Sequence, residues 1–220
     1  MPLQVFPVLH FRDPATALEQ ADLAHDAGAD GVFVISHRGA DEEVVRVAER
    51  LRQRFPQGFQ VGINLLSRPA SQACWAALAS KLDMVWADHM GVGSGGLSDE
   101  GRRLSTLAKT HPALKLYASV AFKYQAVEPH PALAAKHALN AGFIPTTSGA
   151  HTGSAPSVEK IASMSEATGG VLAVASGMTA ENLPQFAPHL SAVLVATGIS
   201  RDEHHLDETK LRAFLEAARC

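Results

Sequence analysis

The sequence predicts a (β/α)₈ barrel, a closed parallel sheet of eight strands, formed by one domain spanning residues 1–220. Three observations carry that expectation. Short runs rich in Val, Ile, Leu and Ala alternate with amphipathic stretches of helical length from end to end. The runs are apolar at successive positions, as in a parallel sheet covered on both faces by crossover helices. The alternation is repeated eight times with no strand-to-strand hairpin signal. A Rossmann-like open sheet is the alternative, but eight β/α units suit closure better.

In chain order the strands fall at Val5 to Leu9, Gly31 to Ile35, Gln60 to Asn64, Met84 to Ala87, Lys115 to Ala121, Phe143 to Thr147, Val171 to Ala175 and Ala192 to Ala196. Each is followed by a helical pattern. Ala17, Ala21 and Ala24 mark the first helix by their spacing, Val44, Val47 and Leu51 the second, and Leu211, Phe214 and Leu215 the last. A repeat is audible in A-G-A-D-G-V-F-V-I and N-A-G-F-I-P-T-T, where Ala-Gly ends a helix and a buried strand follows. Gly at such a stop accepts positive φ. Pro156 and Ser157 should open the helix after the sixth strand, with Glu159 in its first turn.

Apolar residues make up 46% of the chain and charged residues 19%, with a formal net charge of −3, so an ordered globular protein without a basic nucleic-acid footprint is expected. The two cysteines, Cys74 and Cys220, make no disulfide framework or zinc knot, which suits a reducing, cytoplasmic setting. No signal peptide is visible, and no apolar run approaches the ~20 residues that span a bilayer. Barrels often pair, so a homo-oligomer is compatible with the sequence.

In a barrel of this kind chemistry sits where the strands end at their C-termini. Those positions read His10, Ser36-His37, Asn64, Asp88-His89, Lys123, Thr147-Ser148-Gly149 with His151 and Thr152, Ser176-Gly177, and Thr197-Gly198. Polar loop starts and helix caps account for any one of them. Their recurrence at all eight ends points to a site. A-S-G-M-T-A-E-N and A-T-G-I-S, after the seventh and eighth strands, pair a hydroxyl with Gly where phosphate-binding barrels expose backbone N–H groups. Ser176, Gly177, Thr197 and Gly198 are therefore the expected phosphate contacts, with glycine keeping Cβ atoms out of the way.

Asp88 and Lys123 leave neighbouring strands and form a candidate proton-transfer pair, with His10 as a further acid or base. A buried salt bridge would explain the same pair structurally. Lys123 lies in S-V-A-F-K-Y-Q, where burial disfavours its charged form unless a carboxylate or phosphate compensates. Asn64, His37, Thr147, Ser148, Gly149, His151 and Thr152 are expected to line the substrate. His10, His37, His89 and His151 with Asp88 would be the ligands of a divalent metal, but the first strand gives L-H-F-R and not H-x-H, so no metal or other cofactor is expected. His204-His205 reads as part of a solvated loop.

The set V-L-H, G-I-N-L-L, F-K-Y, T-T-S-G-A-H-T-G-S-A-P-S-V-E-K-I, A-S-G-M-T-A-E-N-L and A-T-G-I-S resembles the BtpA family. Members of that family are similar to the ribulose-phosphate-binding TIM barrels. The resemblance spans nearly the whole chain and is most specific in the last third. It implies a phosphate pocket at Ser176, Gly177, Thr197 and Gly198, with His10, Asn64, Lys123, Thr147 and the loop from Gly149 to Gly153 lining the site. Ser36-His37 and Asp88-His89 depart from its pattern. The family is linked both to photosystem I biogenesis and to nucleosidase activity.

The expected function is thus an enzyme acting on a phosphorylated sugar or nucleotide-like molecule, by ribosyl bond cleavage or sugar-phosphate isomerisation. A metal-dependent hydrolase and a non-catalytic assembly factor are the alternatives.

Overall fold

The structure is a computed structural model that describes residues 2–55 and 57–219. Cys220 lies outside the described residues. Eight parallel strands close into a barrel: β1 (Gln4–His10), β2 (Gly31–Ile35), β3 (Gln60–Asn64), β4 (Met84–Ala87), β5 (Lys115–Ser119), β6 (Ile144–Thr147), β7 (Ala173–Val174) and β8 (Ala192–Val195). Each pairs with its sequence neighbours, and β8 returns to β1 through Gln4 opposite Ala192. The helices between them are α1 (Pro14–Ala27), α2 (Asp41–Arg54), α3 (Ala70–Ala79), α4 (Asp99–Thr110), α5 (Pro131–Asn140), α6 (Val158–Ala167), the short α7 (Leu183–Phe186) and α8 (Glu208–Arg219). None is long and apolar enough to cross a membrane.

Side chains alternate along each strand, so the barrel has two apolar layers. Val5, Leu9, Val32, Val34, Val61 and Ile63 face the helices. Phe6, Val8, Phe33, Ile35, Met84, Trp86, Tyr117 and Leu194 fill the interior. Phe6, Phe33 and Tyr117 meet edge to face with centroids 5.3 to 6.0 Å apart and plug the barrel. This plug is the floor under the C-terminal mouth.

Local chemistry sets the helix boundaries. Asp13 caps α1 by accepting from Thr16 N at 2.9 Å, and Pro14 opens it. Gly28 (φ +91°) and Gly142 (φ +88°), the two glycines of the Ala-Gly repeat, are both left-handed. Ser157 caps α6, which starts at Val158 with Glu159 in its first turn.

Three expectations are corrected. A small antiparallel hairpin, Val92–Gly93 with Gly96–Leu97, stands between β4 and α4, because G-V-G-S-G-G-L can turn back on itself with Gly96 at φ +98°. β5 stops at Ser119 and does not reach Ala121, which turns out of the sheet at φ +48°. β7 is shorter than Val171 to Ala175, since it follows a left-handed Gly169-Gly170 turn.

Candidate functional site

The interior parity of each strand decides which polar side chains reach the mouth. On β1 the inward positions are Phe6, Val8 and then His10; on β4 they are Met84, Trp86 and then Asp88. Ile35 leads in the same way to His37, and Asn64 ends β3. These side chains, with Lys123, rim a cavity of about 290 Å³, near the low end of the ~300–1,000 Å³ typical of small-molecule sites. Val8, Ile35, Trp86, Phe122 and Leu194 form its apolar floor. Ser176, Gly177, Thr197 and Gly198 close the opposite side, and Thr152 and Gly153 lie at the lip.

One side of the cavity gathers titratable side chains. Burial holds the Asp88 carboxyl above the usual carboxylate range, opposed by Asn64, His89, Lys123 and His37. The Asn64 amide lies close enough to favour the ionised form, yet the pair does not reach hydrogen-bond geometry. Asn64 Nδ2 and Asp88 Oδ1 are both buried and unpartnered among the described residues. Burial likewise lowers Lys123, with Tyr124 and Asp88 pulling the other way. Its Nζ lies 5.5 Å from the centre of the Phe122 ring.

His10 Nδ1 is 3.1 Å from the carbonyl oxygen of Glu203, which can only accept, so Nδ1 carries the proton and the neutral ring keeps Nε2 as a base. Burial lowers the His10 pKa, and the His37 ring, 5.1 Å away between centroids, adds to the effect.

The other side is built from backbone. The N–H groups of Ser176, Gly177 and Thr197 have no hydrogen-bond partner among the described residues. Ser176 has φ +151°, a value L-residues avoid, in keeping with strain stored at a site. The glycines meet protein where open space for a ligand was expected. A Cβ on Gly177 (φ +69°) would lie 2.2 Å from Ala155 N, and one on Gly198 would lie 2.1 Å from the Met178 carbonyl oxygen. They are glycine so that neighbouring loops can close on one another, which in turn fixes the direction of the free N–H groups.

Four expected lining residues lie elsewhere. Thr147 is buried and its Oγ1 donates to Ala121 O at 3.1 Å; it has the opposite parity to Ile144, which packs on the interior. Ser148 is buried, accepts from Lys123 N at 2.7 Å and donates to Gly149 O at 2.8 Å. Gly149 packs against Ser154, whose carbonyl oxygen a Cβ would meet at 2.1 Å. His151 is exposed, and its carbonyl accepts from Ser176 Oγ at 3.3 Å and from Ser154 N at 3.1 Å. Thr147, Ser148 and Gly149 shape the wall from behind.

Among the described residues, no group of three or more His, Cys, Asp or Glu side chains is placed to hold a metal ion. His204 and His205 are half-buried, not solvated: His204 Nδ1 donates to His10 O at 3.0 Å. Gln125, absent from the sequence-derived set, joins the loop after β5 to β4. Its Nε2 donates to the carbonyls of Asp88 and Ser119, and its Oε1 accepts from Phe122 N at 3.0 Å. Lys160, also absent from that set, holds the same loop from behind. Tandem placement in F-K-Y-Q was the only sequence signal for Gln125.

No protein-family model and no curated protein matches the chain. Solved structures do. One titled "Native KDPGal structure" aligns over 100% of this chain and 96% of its own with a TM-score of 0.71 and 17% identity. A phosphoribosyl anthranilate isomerase in complex with reduced 1-(o-carboxyphenylamino)-1-deoxyribulose 5-phosphate aligns over 98% of each chain, with a TM-score of 0.70 and 15% identity. KGPDC from Streptococcus mutans aligns over 99% and 98%, with a TM-score of 0.71 and 12% identity. At these identities the likeness establishes the fold, and these structures do not show the BtpA resemblance. The chain is a (β/α)₈ barrel, and 98–100% of its length superposes on these solved barrels.

Proposed function

We propose that the chain is an enzyme acting on a phosphorylated sugar, and that it moves protons between adjacent sugar carbons through an enediolate. The observation that carries this reading is the pair of buried, unpartnered polar atoms, Asn64 Nδ2 and Asp88 Oδ1, beside Lys123 at the mouth. A buried donor and acceptor left open to a cavity are costly to the free protein and are satisfied by a hydroxylated ligand.

Asp88 as carboxylate takes the proton from the carbon next to a carbonyl. The electron pair moves into a carbon–carbon double bond and the carbonyl oxygen becomes an oxyanion, which the Lys123 ammonium and the Asn64 amide stabilise. The hydroxyl proton on the deprotonated carbon passes to that oxyanion, and reprotonation by the Asp88 acid at the former carbonyl carbon, with the second oxygen becoming the new carbonyl, completes an aldose–ketose interconversion. The phosphate rests on the free N–H groups of Ser176, Gly177 and Thr197, so that binding energy far from the reacting carbons orients them. The solved complex with a deoxyribulose 5-phosphate derivative on a superposable barrel supports a ligand of this class.

A second reading, ribosyl bond cleavage, is favoured by one observation. The floor of Val8, Ile35, Trp86, Phe122 and Leu194 is wholly apolar and would receive a leaving-group ring. Incubation with ribose 5-phosphate and ribulose 5-phosphate in D₂O separates the two. Isomerisation incorporates solvent deuterium at carbon and is lost in Asp88→Asn and Lys123→Ala. Cleavage of a nucleotide without carbon exchange favours the second reading. If no phosphorylated sugar or nucleotide raises the melting temperature, both fail.

A further inference from the structure

We propose that Lys160 is a positioning residue whose ammonium clasps the loops leaving β5 and β6 to each other and so holds Lys123 in the mouth of the barrel. Lys160 Nζ donates to Ala121 O at 2.6 Å and to Ser148 O at 2.8 Å. Both acceptors adjoin Lys123: Ala121 lies two residues before it, and Ser148 Oγ accepts from Lys123 N at 2.7 Å. Thr147 Oγ1 reinforces the same point by donating to Ala121 O at 3.1 Å. The clasped segment is strained, with Ala121 at φ +48° and Tyr124 at φ +65° on either side of Lys123. Backbone of that kind persists where its surroundings over-determine it.

The position is also wrong for a lysine chosen by helix chemistry. Ser157 caps α6 by accepting from Lys160 N at 3.2 Å, which places Lys160 at the third residue of the helix. A capping box asks for Glu or Gln there, and the positive end of the helix dipole disfavours a cation. No carboxylate compensates: burial lowers the Lys160 pKa and no charged neighbour acts on it. Two backbone carbonyls are its protein partners. A half-buried ammonium placed against the helix dipole, bonded among the described residues only to backbone carbonyls of the two loops that meet at Lys123, is explained by what those loops must hold.

The assignment of a role in turnover rests on the sugar-phosphate reading above, whereas the clasp itself does not. The experiment therefore has two arms. In the first, the titration of Lys123 is followed by competitive acetylation and mass spectrometry in the wild-type, Lys160→Met and Lys160→Arg proteins. Burial lowers the Lys123 pKa in the clasped loop. Release of the loop in Lys160→Met should move it up toward the ordinary lysine value, lowering the fraction of neutral amine at mildly alkaline pH by about threefold or more. Lys160→Arg, which keeps N–H donors at the same place, should restore the wild-type curve. Identical titration of Lys123 in all three proteins overturns the proposal. If Lys160→Met does not fold, Lys160→Gln, which retains one donating amide, is held to the same comparison.

In the second arm, inorganic phosphate binding is measured by calorimetry. It should be unchanged within about twofold in Lys160→Met, because the turns after β7 and β8 are untouched. Wild-type protein that binds no phosphate counts against the functional reading and leaves the first arm standing. Loss of phosphate affinity in Lys160→Met with Lys123 unchanged would place Lys160 at the phosphate site and overturn the clasp.

Discussion

Replacing Asn64 by Leu, of similar shape, should stabilise the free protein and cripple the site. Asn64 is 1% exposed and its Nδ2 has no hydrogen-bond partner among the described residues. A buried donor left unsatisfied costs about 1–3 kcal/mol, and an apolar group of the same shape removes that cost. Part of the gain is returned, because Asp88 loses the amide that favours its ionised form. The net expectation is about 1 kcal/mol, or a rise of about 2–4 °C in Tm for a domain of this size, read by thermal denaturation at neutral pH. Binding of ribose 5-phosphate, read by calorimetry, should weaken by about 10- to 100-fold, since the same ~1–3 kcal/mol is what a ligand hydroxyl recovers from the open donor. A lower Tm together with unchanged affinity would make Asn64 a structural residue with no part in ligand binding.

Other perturbations have equally definite outcomes. Gly177→Ala forces a left-handed residue, costing about 1–2 kcal/mol, and drives a Cβ to 2.2 Å from Ala155 N, so Tm should drop by at least about 4 °C with loss of phosphate binding. His10 has a lowered folded pKa, so its contribution to stability is present above its unfolded value of 6.5 and is lost as pH falls from there through the folded value. His10→Asn should flatten that part of the Tm profile. Asp88 has the opposite sign: its raised pKa makes the ionised form costly above the folded value and the cost disappears on protonation. Asp88→Asn should therefore raise Tm at neutral pH and not in acid. Burial pushes the Cys74 thiol up to about 12, so in a Cys220→Ser background no thiol should react with Ellman's reagent until the protein unfolds.

The barrel was legible because its signal is redundant. Eight apolar runs separated by helical spacings specify parallel closure even when single boundaries slip by two residues. Position at a strand end located the cavity lining wherever an inward series ran straight into the mouth: Val8 to His10, Trp86 to Asp88 and Ile35 to His37 each continue such a series. It failed at Thr147, one residue out of step with Ile144, since a shift of one turns a strand side chain to the other face. Residues beyond a strand end obey no such period. Ser148, Gly149 and His151 were placed by their chemistry alone, and the fold used that chemistry to tie loops together.

Glycine in these turns marks a close approach, but the approaching groups at Gly177 and Gly198 are Ala155 and Met178 of the protein itself and not a ligand oxygen. Gln125 and Lys160 were invisible for a related reason. Each acts on backbone carbonyls distant in sequence, and no pattern along the chain records a partner that the topology supplies.

The functional reading requires that the cavity hold a phosphate opposite Asp88 and Lys123. A crystal structure grown with saturating inorganic phosphate, in a lattice that leaves the mouth open, measures this directly. An anion on the N–H groups of Ser176, Gly177 and Thr197 is expected. An empty turn pair, or phosphate seated elsewhere on the barrel, would contradict it.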